Sequence, residues 1–339
     1  MPVSSRVRPL TVLRRAGRAA VAPALVASVL GAVLVAPAQA DPVPGGAARV
    51  LSQSQVNDVR TRLSVFSPSM DRPITVDLQR PVAASGVRPT LYLLDGAEAH
   101  EEESGWTAMT DVGNLARTAN VNVVLPVGGA HSYYTDWRNV DPVMGRLSYE
   151  TFLTQELPPL IDAQFGGNGV NAIAGASMGG AAALTLTARH PELYRGVAAY
   201  SDCAGISNPV NQLLVRWDVA RGGGDVANMW GAFDDPAWAA HDPHLLSGNL
   251  RGKQIYLSSG NGLPGRYNNL LADPPMETVQ GMFGEFGAMV CTAQLGAALS
   301  AQGIGHTTNL RPTGTHKWGY WNDELHASWP TLMGALTSR

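Results

Sequence analysis

Residues 171–190, NAIAGASMGGAAALTLTARH, constrain this chain more than any other stretch. An apolar run meets an alanine-rich helical pattern, and Ser177 stands at the junction between Gly175 and Gly179. An unbroken apolar run reads as a strand buried on both faces, so the junction predicts a tight strand-to-helix turn in a parallel sheet. Gly175-Ala176-Ser177-Met178-Gly179 fits G-x-S-x-G, the nucleophile elbow. Small neighbours are needed there because the serine is held on a strained turn that exposes its hydroxyl. The helix N-terminus behind it offers a positive dipole end and free N–H groups to a developing oxyanion. A glycine-rich turn with an idle serine is the competing reading; the strand before and helix after favour the nucleophile.

The surrounding pattern agrees. Short apolar runs alternate with helical ones, as in a mostly parallel sheet covered on both faces. Strands are expected near 62–68, 73–81, 90–96, 121–129, 171–177, 196–202, 254–262 and 307–312, and helices at 148–165, 178–189, 282–302 and 329–337. Residues 209–250, rich in Gly, Trp and Asp, read as an insertion over the C-terminal edge of the sheet, where open α/β folds bind ligands. The predicted class is the α/β-hydrolase fold.

The first forty residues are read separately. Five arginines and no acid precede a long apolar run that ends in Ala38-Gln39-Ala40, the composition of a cleaved secretory signal peptide. Residues 41–60 read as a flexible leader and 61–339 as the catalytic domain. Losing the five arginines takes the formal net charge from −3 to −8, which argues against a nucleic-acid partner. No second apolar run reads as a bilayer span. The expectation is a product in the secreted fraction or cell envelope. In that setting Cys203 and Cys291 are expected to form a disulfide.

Ser177 needs a base and an acid. In the order Ser, acid, His, the base is a late histidine after the last strand. His316, in RPTGTHKWGYW, fits. His100 and His131 precede the serine, His190 ends its helix, His241 and His244 fall in the insertion, and His306 and His326 are poorly placed. The loop that often carries the acid in this fold reads SSGNGLPG and has no carboxylate, leaving Asp273, Glu277 and Glu285. Glu285 opens a helical run, EFGAMVCTAQLGAAL, and pattern alone favours it only slightly.

At this point a family comes into view. FSPSMDRPITVDLQRP, LYLLDG, GASMGG, SSGNGLPG and GTHKWGYW, in this order, resemble the secreted mycolyltransferases, the antigen 85 proteins and their corynebacterial relatives. The resemblance runs from about Leu63 to Leu336. It implies a Ser-Glu-His triad of Ser177, Glu285 and His316, since the family glutamate lies at a similar distance before its histidine. It also implies an oxyanion hole from the backbone N–H groups of Ala97 and Met178, and a sugar contact at Asp95. Trp318, two residues past His316, is expected to border the site. The implied substrates are trehalose mycolates and cell-wall glycan acceptors, handled by ping-pong chemistry without metal or organic cofactor. One departure stands out: the mycobacterial proteins carry an arginine three residues past the aspartate, and this chain has Glu98 there. Glu101, Glu102 and Glu103 read as a solvated acidic loop. An exported carboxylesterase that releases the acid to water, and a non-catalytic envelope adhesin, are the competing functions.

Overall fold

The computed structural model describes residues 46–82 and 86–338. The expected signal peptide, 1–40, lies outside them. Among the described residues nine strands form one sheet: β1 (Arg49–Gln55), β2 (Arg60–Ser67), β3 (Arg72–Gln79), β4 (Arg88–Leu94), β5 (Asn122–Pro126), β6 (Gly167–Ala176), β7 (Tyr194–Tyr200), β8 (Gln254–Ser259) and β9 (Thr307–Leu310). Their spatial order is β1-β2-β3-β5-β4-β6-β7-β8-β9. β1 pairs antiparallel with β2, β2 with β3 and β3 with β5, and the six strands from β5 to β9 in the spatial order are parallel.

Strand chemistry follows position. β2 alternates between buried and half-buried residues, as a strand near the sheet edge does, whereas every residue of β5 is buried. Leu91 and Leu93 enter one core with Trp106, Leu325 and Leu332, while Tyr92 and Leu94 enter the other with Ile161 and Ala182. Apolar residues at consecutive positions in β4 thus fill both faces.

The helices that matter for the site are α1 (Gly105–Met109), α2 (Leu157–Phe165), α3 (Met178–Arg189), α4 (Pro209–Arg221), α5 (Pro275–Ala301) and α6 (Trp318–Thr337). β4 lies between β5 and β6, so the chain reverses its direction of travel across the sheet there. The crevice beyond the C-terminal ends of β4 and β6 is the topological switch point, where this architecture binds ligands.

Three sequence expectations need correction. Part of the expected leader is the edge strand β1; its residues are mostly exposed, so no hydrophobic alternation marks them. α5 begins at Pro275 and α6 at Trp318, well before the expected starts at 282 and 329. Because α5 runs for 27 apolar-rich residues, it is long enough to cross a bilayer, contrary to the sequence reading. Here it packs on β8 and β9 instead. The weakly patterned insertion contains α4, two shorter α-helices and a 3-10 turn.

Candidate active site

Ser177 sits between β6 and α3 with φ 55° and ψ −123°. That backbone conformation is costly for a non-glycine residue, on the order of 1–3 kcal/mol, and persists only where neighbours enforce it. Here a hydrogen bond from the Ser177 N–H to the Tyr200 carbonyl, at 2.8 Å, ties the turn to β7. A serine in this position ordinarily caps its helix, yet the Ser177 side chain makes no such bond. The flanking glycines are required by contact: a Cβ at Gly175 would lie 2.2 Å from the Gly179 carbonyl oxygen, and one at Gly179 would lie 2.4 Å from that of Asp95.

Glu285 is fully buried, and its two oxygens have separate partners. Oε1 accepts from Ser201 Oγ at 2.8 Å, Ser259 Oγ at 3.2 Å, Arg311 Nη2 at 3.3 Å and the Gly260 N–H. Oε2 faces His316 Nδ1 at 2.9 Å. The SSGNG loop carries no acid because it supplies donors to one arriving from α5. Glu285 is not at a helix start, as the sequence suggested, but ten residues into α5. The same helix also holds the histidine backbone, since the His316 N–H donates to the Gly281 carbonyl at 3.1 Å. The imidazole stands edge-on to Trp321, ring centroids 4.9 Å apart, and Trp321 Nε1 donates to Ser201 Oγ at 2.9 Å. Ring and carboxylate are therefore held from two sides.

Of the other acid candidates, Asp273 pairs with Lys317, while Glu277 is an exposed first-turn residue of α5. Arg311 extends the network to buried Glu324, with Nη1 2.6 Å from Oε1. Among the described residues Ser177 Oγ has no side-chain hydrogen-bond partner, so the serine–imidazole contact is open in this state. Such contacts often tighten only when substrate arrives.

The Ala97 and Met178 N–H groups follow β4 and β6. Neither donates a hydrogen bond among the described residues, and a Cβ at Gly96 would lie 3.5 Å from the Ser177 Cβ. Two free donors thus flank the serine. Asp95 is 1% exposed and accepts from Ser104 Oγ and from the Gly105 and Trp106 N–H groups, which makes it a cap for α1. Burial raises its pKa to about 7 despite these bonds. Trp318 packs over Gly105, where a Cβ would lie 2.1 Å from its ring, and meets Trp106 and Trp321 edge-to-face. Trp318 thus joins Trp106, whose N–H donates to Asp95, to Trp321, which faces His316.

Cys203 and Cys291 are bonded, with Cα atoms 4.9 Å apart. The bond joins the segment after β7 to α5, six residues past Glu285. Ser201, Ser259, Arg311 and Asp202 were not legible as site residues. Asp202 is buried, both of its oxygens lack a hydrogen-bond partner among the described residues, and burial, with nearby Glu285 adding repulsion, raises its pKa to about 7. The one available signal was position, since Ser201 and Asp202 directly follow a parallel strand.

Residues 67–332 match the family described as "Putative esterase". The chain is 34% identical to diacylglycerol acyltransferase/mycolyltransferase Ag85A of Mycobacterium leprae, over 96% of this chain and 94% of that protein. It is 32% identical to Ag85B of the same organism, over 86% and 89%. Among solved structures, MPT51 of Mycobacterium tuberculosis superposes with a TM-score of 0.70 at 27% identity, over 82% of this chain and 98% of that one. An S-formylglutathione hydrolase from Agrobacterium tumefaciens shares the fold, with a TM-score of 0.60 at 18% identity, over 83% of this chain and 98% of that one.

Proposed function

The chain belongs to the antigen 85 family of diacylglycerol acyltransferase/mycolyltransferases, within the wider esterase family, and from this premise we propose that it moves a mycolyl group from trehalose monomycolate to a sugar hydroxyl through an acyl-enzyme on Ser177. The observation that carries the reading is the 2.9 Å contact between Glu285 and His316, made at the sheet edge where Ser177 stands on its elbow.

Ser177 Oγ attacks the ester carbonyl carbon while His316 Nε2 takes its proton. Glu285 Oε2 keeps the Nδ1 proton on the ring and stabilises the imidazolium. The carbonyl oxygen becomes an oxyanion facing the Ala97 and Met178 N–H groups; loss of one such donor typically raises a barrier by about 3–4 kcal/mol. The intermediate collapses, the carbon–oxygen bond to trehalose breaks, and His316 gives its proton to the departing sugar oxygen. An acceptor hydroxyl then enters, loses its proton to His316 and takes the acyl group from Ser177, whose departing Oγ recovers that proton from His316. A second trehalose monomycolate gives the dimycolate, and arabinogalactan gives a wall-bound mycolate. These side chains and amides account for every proton and bond. Trp318 lines the sugar side in this reading, and Asp95 acts through the α1 segment that it caps.

The predicted signal peptide fits a substrate outside the cytoplasm, and we assign the domain that begins with β1 as the catalytic domain acting there. Water competes with the sugar for the acyl-enzyme, so the test is product analysis. Mass spectrometry after incubation with trehalose monomycolate should find dimycolate and free trehalose. Free mycolic acid as the sole acyl product would make the protein a carboxylesterase, and unchanged activity in Ser177→Ala would return it to the adhesin reading.

A further inference from the structure

The loop after β5 concentrates backbone strain. Gly128 and Gly129 have φ of 85° and 80°, and His131, Tyr133 and Tyr134 follow at 54°, 56° and 46°. Non-glycine residues in this region cost on the order of 1 kcal/mol or more each and need an enforcing environment. Here the loop reaches both proposed oxyanion donors. The His131 N–H donates to the Ala97 carbonyl at 3.0 Å, and the Tyr133 N–H to Met178 Sδ at 3.3 Å.

Its other side faces the insertion. His131 Nδ1 lies 3.0 Å from Asp218 Oδ1 on α4, and each side chain is only 12% exposed. A Cβ at Gly222, just past α4, would fall 2.7 Å from the imidazole, so the end of the helix is fitted against the ring. A second link, Arg221 to Glu98, joins α4 to the residue after Ala97. Its side chains are 42% and 71% exposed, and ion pairs of that kind contribute little. The sheltered His131–Asp218 contact is the stronger tether.

We propose that His131 is a positioning residue for the oxyanion hole, fixed in place by Asp218 from the insertion. The proposal rests on the assignment of Ala97 and Met178 as oxyanion donors. A donor of this kind works only when it is aimed at the place where charge develops, and a displacement well under 1 Å weakens it. By holding the Ala97 carbonyl, His131 fixes the orientation of that residue and so of its N–H. The Asp218 contact offsets the strain of keeping His131 left-handed. Without the imidazole the loop relaxes and the hole loosens. Ground-state ester binding needs the hole less than the transition state does, so the effect falls on kcat.

The test compares His131→Ala, Asp218→Ala, His131→Asn and Glu98→Ala in the full chain, with p-nitrophenyl butyrate as the ester and a serine-directed organophosphonate as the transition-state mimic. His131→Ala and Asp218→Ala should lower kcat about tenfold with KM within about twofold, and slow phosphonylation of Ser177 by the same factor. Asparagine tolerates the left-handed backbone and keeps a donor for Asp218, so His131→Asn should stay within about threefold of the parent. Glu98→Ala should stay within about twofold. If His131→Ala does not fold, Asp218→Ala and His131→Asn carry the same comparison. Parent-like kcat and phosphonylation in the alanine variants, or a change confined to KM, overturns the proposal. Turnover and adduct formation that persist in Ser177→Ala overturn the serine assignment beneath it instead.

Discussion

Replacing Glu285 by glutamine changes one oxygen to an NH2 group and leaves the shape intact. The amide has two orientations. With its nitrogen on the Oε1 side it would face four donors: the Gly260 N–H, both serine hydroxyls and Arg311. Donor against donor in a fully buried pocket costs about 1–3 kcal/mol for each group left without an acceptor. The nitrogen therefore turns towards His316 Nδ1, where a single contact is at stake. Facing an N–H donor, Nδ1 must accept, so the ring proton moves to Nε2. An imidazole in that tautomer cannot take the proton of Ser177. The analogous change in serine proteases lowers kcat about 10⁴-fold, and Glu285→Gln should lower it about 10³- to 10⁴-fold. Stability should change by less than about 2 kcal/mol, since the amide oxygen keeps the Oε1 donors. Turnover of a chromogenic ester gives the first quantity and urea unfolding the second. A variant that folds normally and retains more than a tenth of parental kcat would refute the reasoning.

Other consequences follow from the same structure. Mutating Cys203 and Cys291 to serine opens a loop with a sequence separation of 88 residues. The chain-entropy model then gives a loss of about 4–5 kcal/mol, measurable by urea unfolding against the oxidised parent. Asp202 has a folded pKa raised to about 7, so its contribution to stability is full below pH 4 and is lost as pH rises through 7. Asp202→Asn, neutral throughout, should gain on the parent over that window by up to about 4 kcal/mol, and unfolding curves at pH 4 and pH 8 that differ equally for both proteins would count against it. Gly179→Ala places a methyl group 2.4 Å from the Asp95 carbonyl oxygen and should lower both the melting temperature and esterase activity. A variant with parental melting behaviour would show that the elbow can yield.

Much of this site was legible in the chain because its pieces are local. The elbow is a contiguous pattern, and G-A-S-M-G between a buried run and an alanine-rich helix leaves few alternatives. His316 was legible from chain order. Glu285 was harder because α5 begins earlier than its hydrophobic pattern. Its first turns hold Gly281, Gly284 and exposed Met276 and Phe283, which blur the helical period. The start of α6 was hidden similarly, by Gly319 among aromatics that read as loop. β1 escaped because Ser and Gln fill an exposed edge. The positions that hold the site together, Ser201 against Glu285 and His131 against Asp218, are 84 and 87 residues apart, and no local pattern links them. They become visible only when the sheet brings strand ends together.

The most direct measurement is peptide mass spectrometry on enzyme quenched within milliseconds of mixing with trehalose monomycolate. A mycolyl ester should appear on the peptide containing Ser177, at a rate no slower than turnover, and should decay when a sugar acceptor is added as the transferred product accumulates. Product formed at the normal rate with no acylated Ser177, or with the acyl group on another residue, would contradict the account.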